Sequence, residues 1–113
     1  MRRKPVEMDG CAMAISPLTM AQVEEHLRDR EAVIKDIDPE NIPQETMDKL
    51  NMLWRKFVCY GLNNAQNGSG GEPPWTPERV LHEIDLLMFA KLRADLLEFS
   101  GLKQGEVKAA QTS

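Results

Sequence analysis

The chain reads as all-α, a small bundle of three principal helices at about 19–36, 43–62 and 77–100 with flexible N- and C-terminal arms. Three observations lead there. Thr19 and Gln22 form a T-x-x-Q capping box ahead of a heptad-spaced apolar seam. Met47, Leu50, Leu53, Trp54, Phe57, Val58 and Gly61 fall on one helical face. The stretch from Trp75 to Leu102 surrounds a mostly apolar run with helix-start and helix-stop signals. A length of 113 residues fits one small domain. The expected division is an arm at 1–15, a helical domain at 16–102 and a tail at 103–113.

Taken in order, residues 1–15 show no period, which predicts a loose arm. In the first helix Leu18 staples onto Val23, and Met20, Val23, Leu27, Ile34 and Ile37 form a narrow seam. Glu24, Glu25, Arg28, Asp29 and Glu31 solvate the remaining surface. Two prolines and the turn-forming acids Asp36 and Asp38 then end the helix. The second helix starts near Asn41–Pro43, and Gly61 on its apolar face lets another helix approach closely. Asn63 to Pro74 has the composition of a flexible loop.

The third helix opens with Thr76 as cap, Pro77 at the first helical position and Trp75 stapled to Val80. It closes with Gly101, after which Leu102 can fold back on Leu97. Its apolar face swings by roughly 120° between Val80–Met88 and Phe89–Phe99, counting 100° per residue. Two geometries produce such a swing: a break near residues 85–90, or a continuous helix with two faces. No Gly or Pro lies between Val80 and Ser100, so the continuous helix is the expectation. Its second face would then meet a partner. The core is expected to draw on Val23, Leu27, Leu50, Trp54, Phe57, Ile84 and Leu87.

Charge and composition exclude several functions. The net charge is −4; residues 1–12 and 103–113 carry +1 each, leaving −6 on residues 13–102. Such a body is ill suited to phosphate backbones, so no nucleic-acid partner is expected. Charges at Asp85, Lys91, Arg93 and Asp95 interrupt the last helix, and no apolar stretch follows Arg2-Arg3-Lys4. The expectation is therefore a cytoplasmic protein with neither membrane span nor signal peptide. Cys11 and Cys59 suggest no disulfide framework. His26 and His82 sit on separate helices and are joined by no nucleophile or ligand cluster, so no enzyme, metal or cofactor is expected. The glycines at 68–71 lack the strand and Lys-Ser/Thr of a phosphate loop. Seven methionines are many for this length; core gap-filling is the simpler reading, adaptable binding of helices the other.

Pro74-Trp75-Thr76-Pro77-Glu78-Arg79-Val80-Leu81, Ile84-Asp85-Leu86 and Leu96-Leu97-Glu98-Phe99-Ser100-Gly101-Leu102 together resemble the C-terminal half of tail assembly chaperones of long-tailed, lambda-like bacteriophages. Leu18-Thr19-Met20-Ala21-Gln22-Val23 and the acidic helix behind it are similar too, so the resemblance spans roughly residues 17–103. It implies a non-enzymatic helical protein of the host cytoplasm that forms homo-oligomers. Such a protein coats the tape-measure protein until the tail tube polymerises around it. A longer frameshifted product would reach the tube protein indirectly. The residues expected to meet the client are Phe89, Leu92, Leu96 and Phe99, with Met47 and Met52 as adaptable edges. The alternatives are a helical DNA-binding regulator, which the acidic body disfavours, and another helical adaptor or secretion chaperone with the same helix grammar.

Overall fold

A computed structural model describes residues 3–8, 11–66 and 74–101. It is mostly helical, with four helices and one small hairpin among the described residues. The order is β1 (Lys4–Met8), β2 (Cys11–Ile15), α1 (Met20–Ile34), α2 (Gln44–Gln66), α3 (Pro77–Glu83) and α4 (Leu86–Phe99). Leu102 and the expected tail at 103–113 lie outside the described residues.

Residues 4–15 correct the expectation of a loose arm. β1 and β2 pair antiparallel with Val6 opposite Met13 and Lys4 opposite Ile15. Alternation along β1 leaves Pro5 and Glu7 exposed while Val6 is buried. Ile15 is buried on the same face of the hairpin. A lone two-stranded hairpin is marginal in water, so packing on helices has to supply the remainder. β2 lies against α2, and the Ser16 N–H donates to the Gly61 carbonyl at 3.0 Å. The Lys4 ammonium lies 3.9 Å from the Asp95 carboxylate on α4.

Helix α1 starts as its capping box predicts. Thr19 Oγ1 accepts from the Gln22 N–H at 3.2 Å, and Gln22 Oε1 accepts from the Thr19 N–H at 2.9 Å. Leu18 is buried, and Val23 and Leu27 pack on the same core. The helix ends where Asp36 takes a left-handed φ of 62°. Asp38 Oδ1 then accepts from the Glu40 N–H at 2.9 Å, the turn chemistry expected of that acid. On the outer side of the α1–α2 seam, Glu25 accepts from Lys56 Nζ at 3.0 Å and from the Tyr60 hydroxyl at 2.9 Å. Both partners hold the Glu25 carboxyl below its ordinary range.

Helix α2 is the axis of the fold, touching β2, α1, α3 and α4. Phe57, Val58 and Leu62 bury their side chains against Val80 of α3 and Met88, Leu92, Leu96 and Leu97 of α4. Gly61 is buried where α4 crosses: a Cβ there would lie 2.6 Å from Leu96 Cδ1 and 2.9 Å from its Cγ. The close approach expected at Gly61 is therefore made by α4. The helix also runs past its expected end to Gln66, because Asn63 and Asn64 have tertiary work to do. Asn63 Oδ1 accepts from the Trp75 N–H at 2.6 Å while its amide donates to the Trp75 carbonyl at 2.9 Å. Asn64 donates to the Pro17 carbonyl at 3.0 Å and to Gln22 Oε1 at 2.8 Å. Of the expected loop, residues 67–73 lie outside the described part.

The expected third helix is two helices. Thr76 caps α3 by accepting from the Arg79 N–H at 3.1 Å, with Pro77 opening the first turn as predicted. Ile84 is extended, with φ −114° and ψ 127°, and Asp85 follows at φ −75° and ψ 167°. Asp85 Oδ1 accepts from the Met88 N–H at 2.7 Å, which makes it the N-cap of α4. A capping Asp can break a helical pattern without Gly or Pro, so their absence did not imply continuity. The break also absorbs the face swing. Val80 of α3 and Met88, Leu92 and Leu96 of α4 all turn into one core. The C-terminal signal holds: Gly101 has φ 81°, and the Ser100 N–H reaches the Leu96 carbonyl at 2.9 Å. No described helix is long and apolar enough to cross a membrane.

Candidate functional site

The corner between α3 and α4 leaves apolar residues outside the core. Leu81 is 52 % exposed, Leu86 80 % and Leu87 68 %. Leu87, expected in the core, is thus a surface residue. The reason is register: once Asp85 starts a new helix, Met88, Leu92 and Leu96 at four-residue spacing face α2. Leu86 and Leu87, in the first turn, point away from that stripe. Of the other expected core residues, Phe57 is fully buried, while Val23, Leu27, Trp54 and Ile84 pack on its edge and Leu50 is half-buried.

Beside these leucines lies an open groove of about 290 Å³, floored by Val80, Ile84 and Phe89 and walled by Leu81, Leu86, Asn51 and Arg55. Helix α2 supplies the polar wall, because Asn51 and Arg55 stand four residues apart on one of its faces. The outer surface of α3 is stiffened by Arg79, whose Nε and second guanidinium nitrogen reach Glu83 at 2.7 and 3.1 Å. The same guanidinium lies 4.1 Å from the centre of the Trp75 ring. This fork holds the Glu83 carboxyl below its ordinary range.

The expected client residues are dispersed rather than gathered. Phe89 lines the groove. Leu92 and Leu96 are 0 % exposed and belong to the core of this single chain, so they form no second face. Phe99 is half-buried at the far end of α4, packed against the core near Leu97. Met47 is exposed near the start of α2, and Met52 lines a shallower trough of about 440 Å³ with Val33 and Leu53. Among the described residues the methionines divide: Met20, Met47 and Met52 are exposed, whereas Met88 is buried and Met13 packs against the core. The residues that sequence reasoning missed are Leu81, Leu86 and Leu87 with Ile84. Asp85 three residues ahead of Met88, read as a cap, would have found them.

The reactive side chains are placed for packing. Burial pushes the Cys59 thiol up to about 11, which keeps it protonated and a poor nucleophile at neutral pH. His26 is buried between Trp54 and Phe57, with ring centres 4.8 and 4.9 Å away. Burial first, then the charges of Arg30 and Lys56, lowers its pKa to about 4, so it is neutral at pH 7. Arg30 and Arg93 stack on the same indole at 4.7 and 5.0 Å. No group of three metal-ligating side chains occurs among the described residues. What the α3–α4 corner offers is an apolar surface with a polar wall. Compared with known proteins, the chain matches no family model, no curated protein and no solved structure.

Proposed function

We propose that this protein is a tail assembly chaperone of a long-tailed bacteriophage, acting in the host cytoplasm to shield the tape-measure protein before tube polymerisation. The observation that carries the reading is the α3–α4 corner, where Leu81 and Leu86 line an open groove and Leu87, next along the chain, stands exposed. A tape measure before assembly is a long helical chain with apolar stripes, and a groove of this kind takes one stripe helix-in-groove. The client residues are Leu81, Leu86, Leu87 and Phe89, in place of the buried Leu92 and Leu96.

The magnitudes favour many weak contacts over one tight one. The exposed parts of the three leucines amount to about two full side chains, worth roughly 3–6 kcal/mol when buried. Association alone costs an estimated ~4–15 kcal/mol. A single module therefore holds its client poorly, whereas copies lining one long client gain by effective concentration. This accords with a homo-oligomer assembled along the client. The resemblance supplies the remaining partner, the tube protein, reached through a longer frameshifted product.

The test is co-expression with a tape-measure fragment that is insoluble alone. The wild type keeps the fragment in solution, and the double variant Leu86→Ser, Leu87→Ser loses that ability. Its circular dichroism and melting temperature stay close to wild type, since both side chains are already in water. A double variant that still solubilises the fragment refutes the assignment of this corner as the client site.

A further inference from the structure

We propose that the groove selects amphipathic helices carrying a carboxylate beside their apolar stripe, and that Arg55 is the residue that reads it. This rests on the groove being the client site. Among the described residues Arg55 is in no ion pair, whereas Lys49 and Lys56 of α2, Arg79 of α3 and Lys91 of α4 are each matched to an acid, and Arg93 is stacked on the Trp54 ring. Arg79 is forked onto Glu83 at 2.7 Å, Lys56 onto Glu25 at 3.0 Å and Lys91 onto Asp95 at 3.5 Å. Two acids close to the leucines in sequence are committed too. Glu83 holds Arg79, and Asp85 Oδ1 caps the Met88 N–H at 2.7 Å.

An apolar floor with one unmatched guanidinium on its wall is complementary to a helix whose Leu/Ile stripe is flanked by Asp or Glu. Arg55 is half-buried, so an incoming carboxylate meets it in a partly dried site where the pair is stronger than on open surface. Its planar fork suits a bidentate carboxylate. Asn51, one turn away on the same wall, offers an amide to the client's polar edge. The leucines supply affinity, while Arg55 fixes the register and direction of the bound helix. The −6 charge of residues 13–102 repels acidic helices elsewhere on the surface, which confines the preference to this wall.

The experiment is fluorescence anisotropy of the full chain with two synthetic amphipathic helices of about 20 residues, long enough to cross the corner. They share one leucine stripe and differ only in Glu or Gln beside it. The wild type should bind the Glu peptide about three- to fivefold more tightly, the range of a modest ion pair. The preference should vanish in Arg55→Gln and turn toward the Gln peptide in Arg55→Glu. It should also fade at high salt, whereas binding itself persists. Equal wild-type affinity for both peptides, with binding abolished in Leu86→Ser, Leu87→Ser, overturns the proposal and leaves the groove as client site. Binding that ignores the leucine pair, or no binding of either peptide, overturns the groove reading and this proposal together.

Discussion

Gly61→Ala is the sharpest test of how α2 and α4 meet. The new methyl would fall 2.6 Å from Leu96 Cδ1 and 2.9 Å from Leu96 Cγ. Leu96 is 0 % exposed, so it has no open space to rotate into. Overpacking of this kind costs about 1–3 kcal/mol. Replacing Gly by Ala inside a helix returns ~1 kcal/mol through propensity, which leaves a net loss of up to about 2 kcal/mol. For a domain of this size that is a fall in Tm of up to roughly 8 °C. In a Leu96→Ala background the clash is gone, and the methyl partly fills the cavity. Leu96→Ala alone should cost about 2–5 kcal/mol, and adding Gly61→Ala to it should be neutral or stabilising. The assay is a double-mutant cycle by urea and thermal unfolding, read as the sign change of one substitution in two backgrounds. A higher Tm for Gly61→Ala in the wild-type background would refute the close crossing.

Two further outcomes follow from polar groups. His26 has a folded pKa of about 4 against an ordinary 6.5, so its neutral form is the one the fold accepts. Its contribution is intact above pH 6.5 and is lost as pH falls toward 4, because the unfolded chain takes the proton first; the loss is about 2–3 kcal/mol. Urea midpoints from pH 8 to 4 should show that slope, and His26→Leu should flatten it. Asp85→Ala removes the cap at the start of α4 and should lower stability by about 1 kcal/mol, while Asp85→Asn keeps it. Melting curves of both variants decide, and an equal drop in the two refutes the capping role.

Much of the helical framework was legible because it is written in short-range chemistry. The Thr19/Gln22 box, the Thr76-Pro77 start, the Gly101 stop and the apolar face of α2 are all local signals, and the structure uses each. The hairpin was harder. Each strand has five residues, and Val6 and Ile15 are the fully buried side chains among those described, which is too little alternation to show a period of two. The Asp9-Gly10 dipeptide between the strands was its available signal. Asn63 and Asn64 look like loop residues by composition, yet their amides bind backbone far away in sequence, which no local window contains. Phe89 was the one expected client residue in the groove. Leu92 and Leu96 were misread because the face swing was credited to a second surface rather than to a change of helix. A swing of apolar phase with an Asp at its centre has two geometric solutions, and composition does not choose between them.

The hairpin's attachment has a consequence for when this protein becomes functional during synthesis. Lys4 meets Asp95, and the Leu18 N–H donates to Ser100 Oγ at 3.0 Å, a bond spanning 82 residues of chain. The fold is thus fastened early segment to late segment. Contacts between such distant parts of a chain close late, after the local helices have formed. A ribosome adding about 5–20 residues per second delivers α4 seconds after the hairpin. During that interval Val6, Ile15 and the inner face of α2 have no Leu92 or Leu96 to cover them. The groove, whose floor and outer wall come from α3 and α4, does not exist until that cover arrives. The corner is therefore gated by translation: a nascent chain presents its exposed leucines as a formed surface only once α4 has been made and has packed on α2.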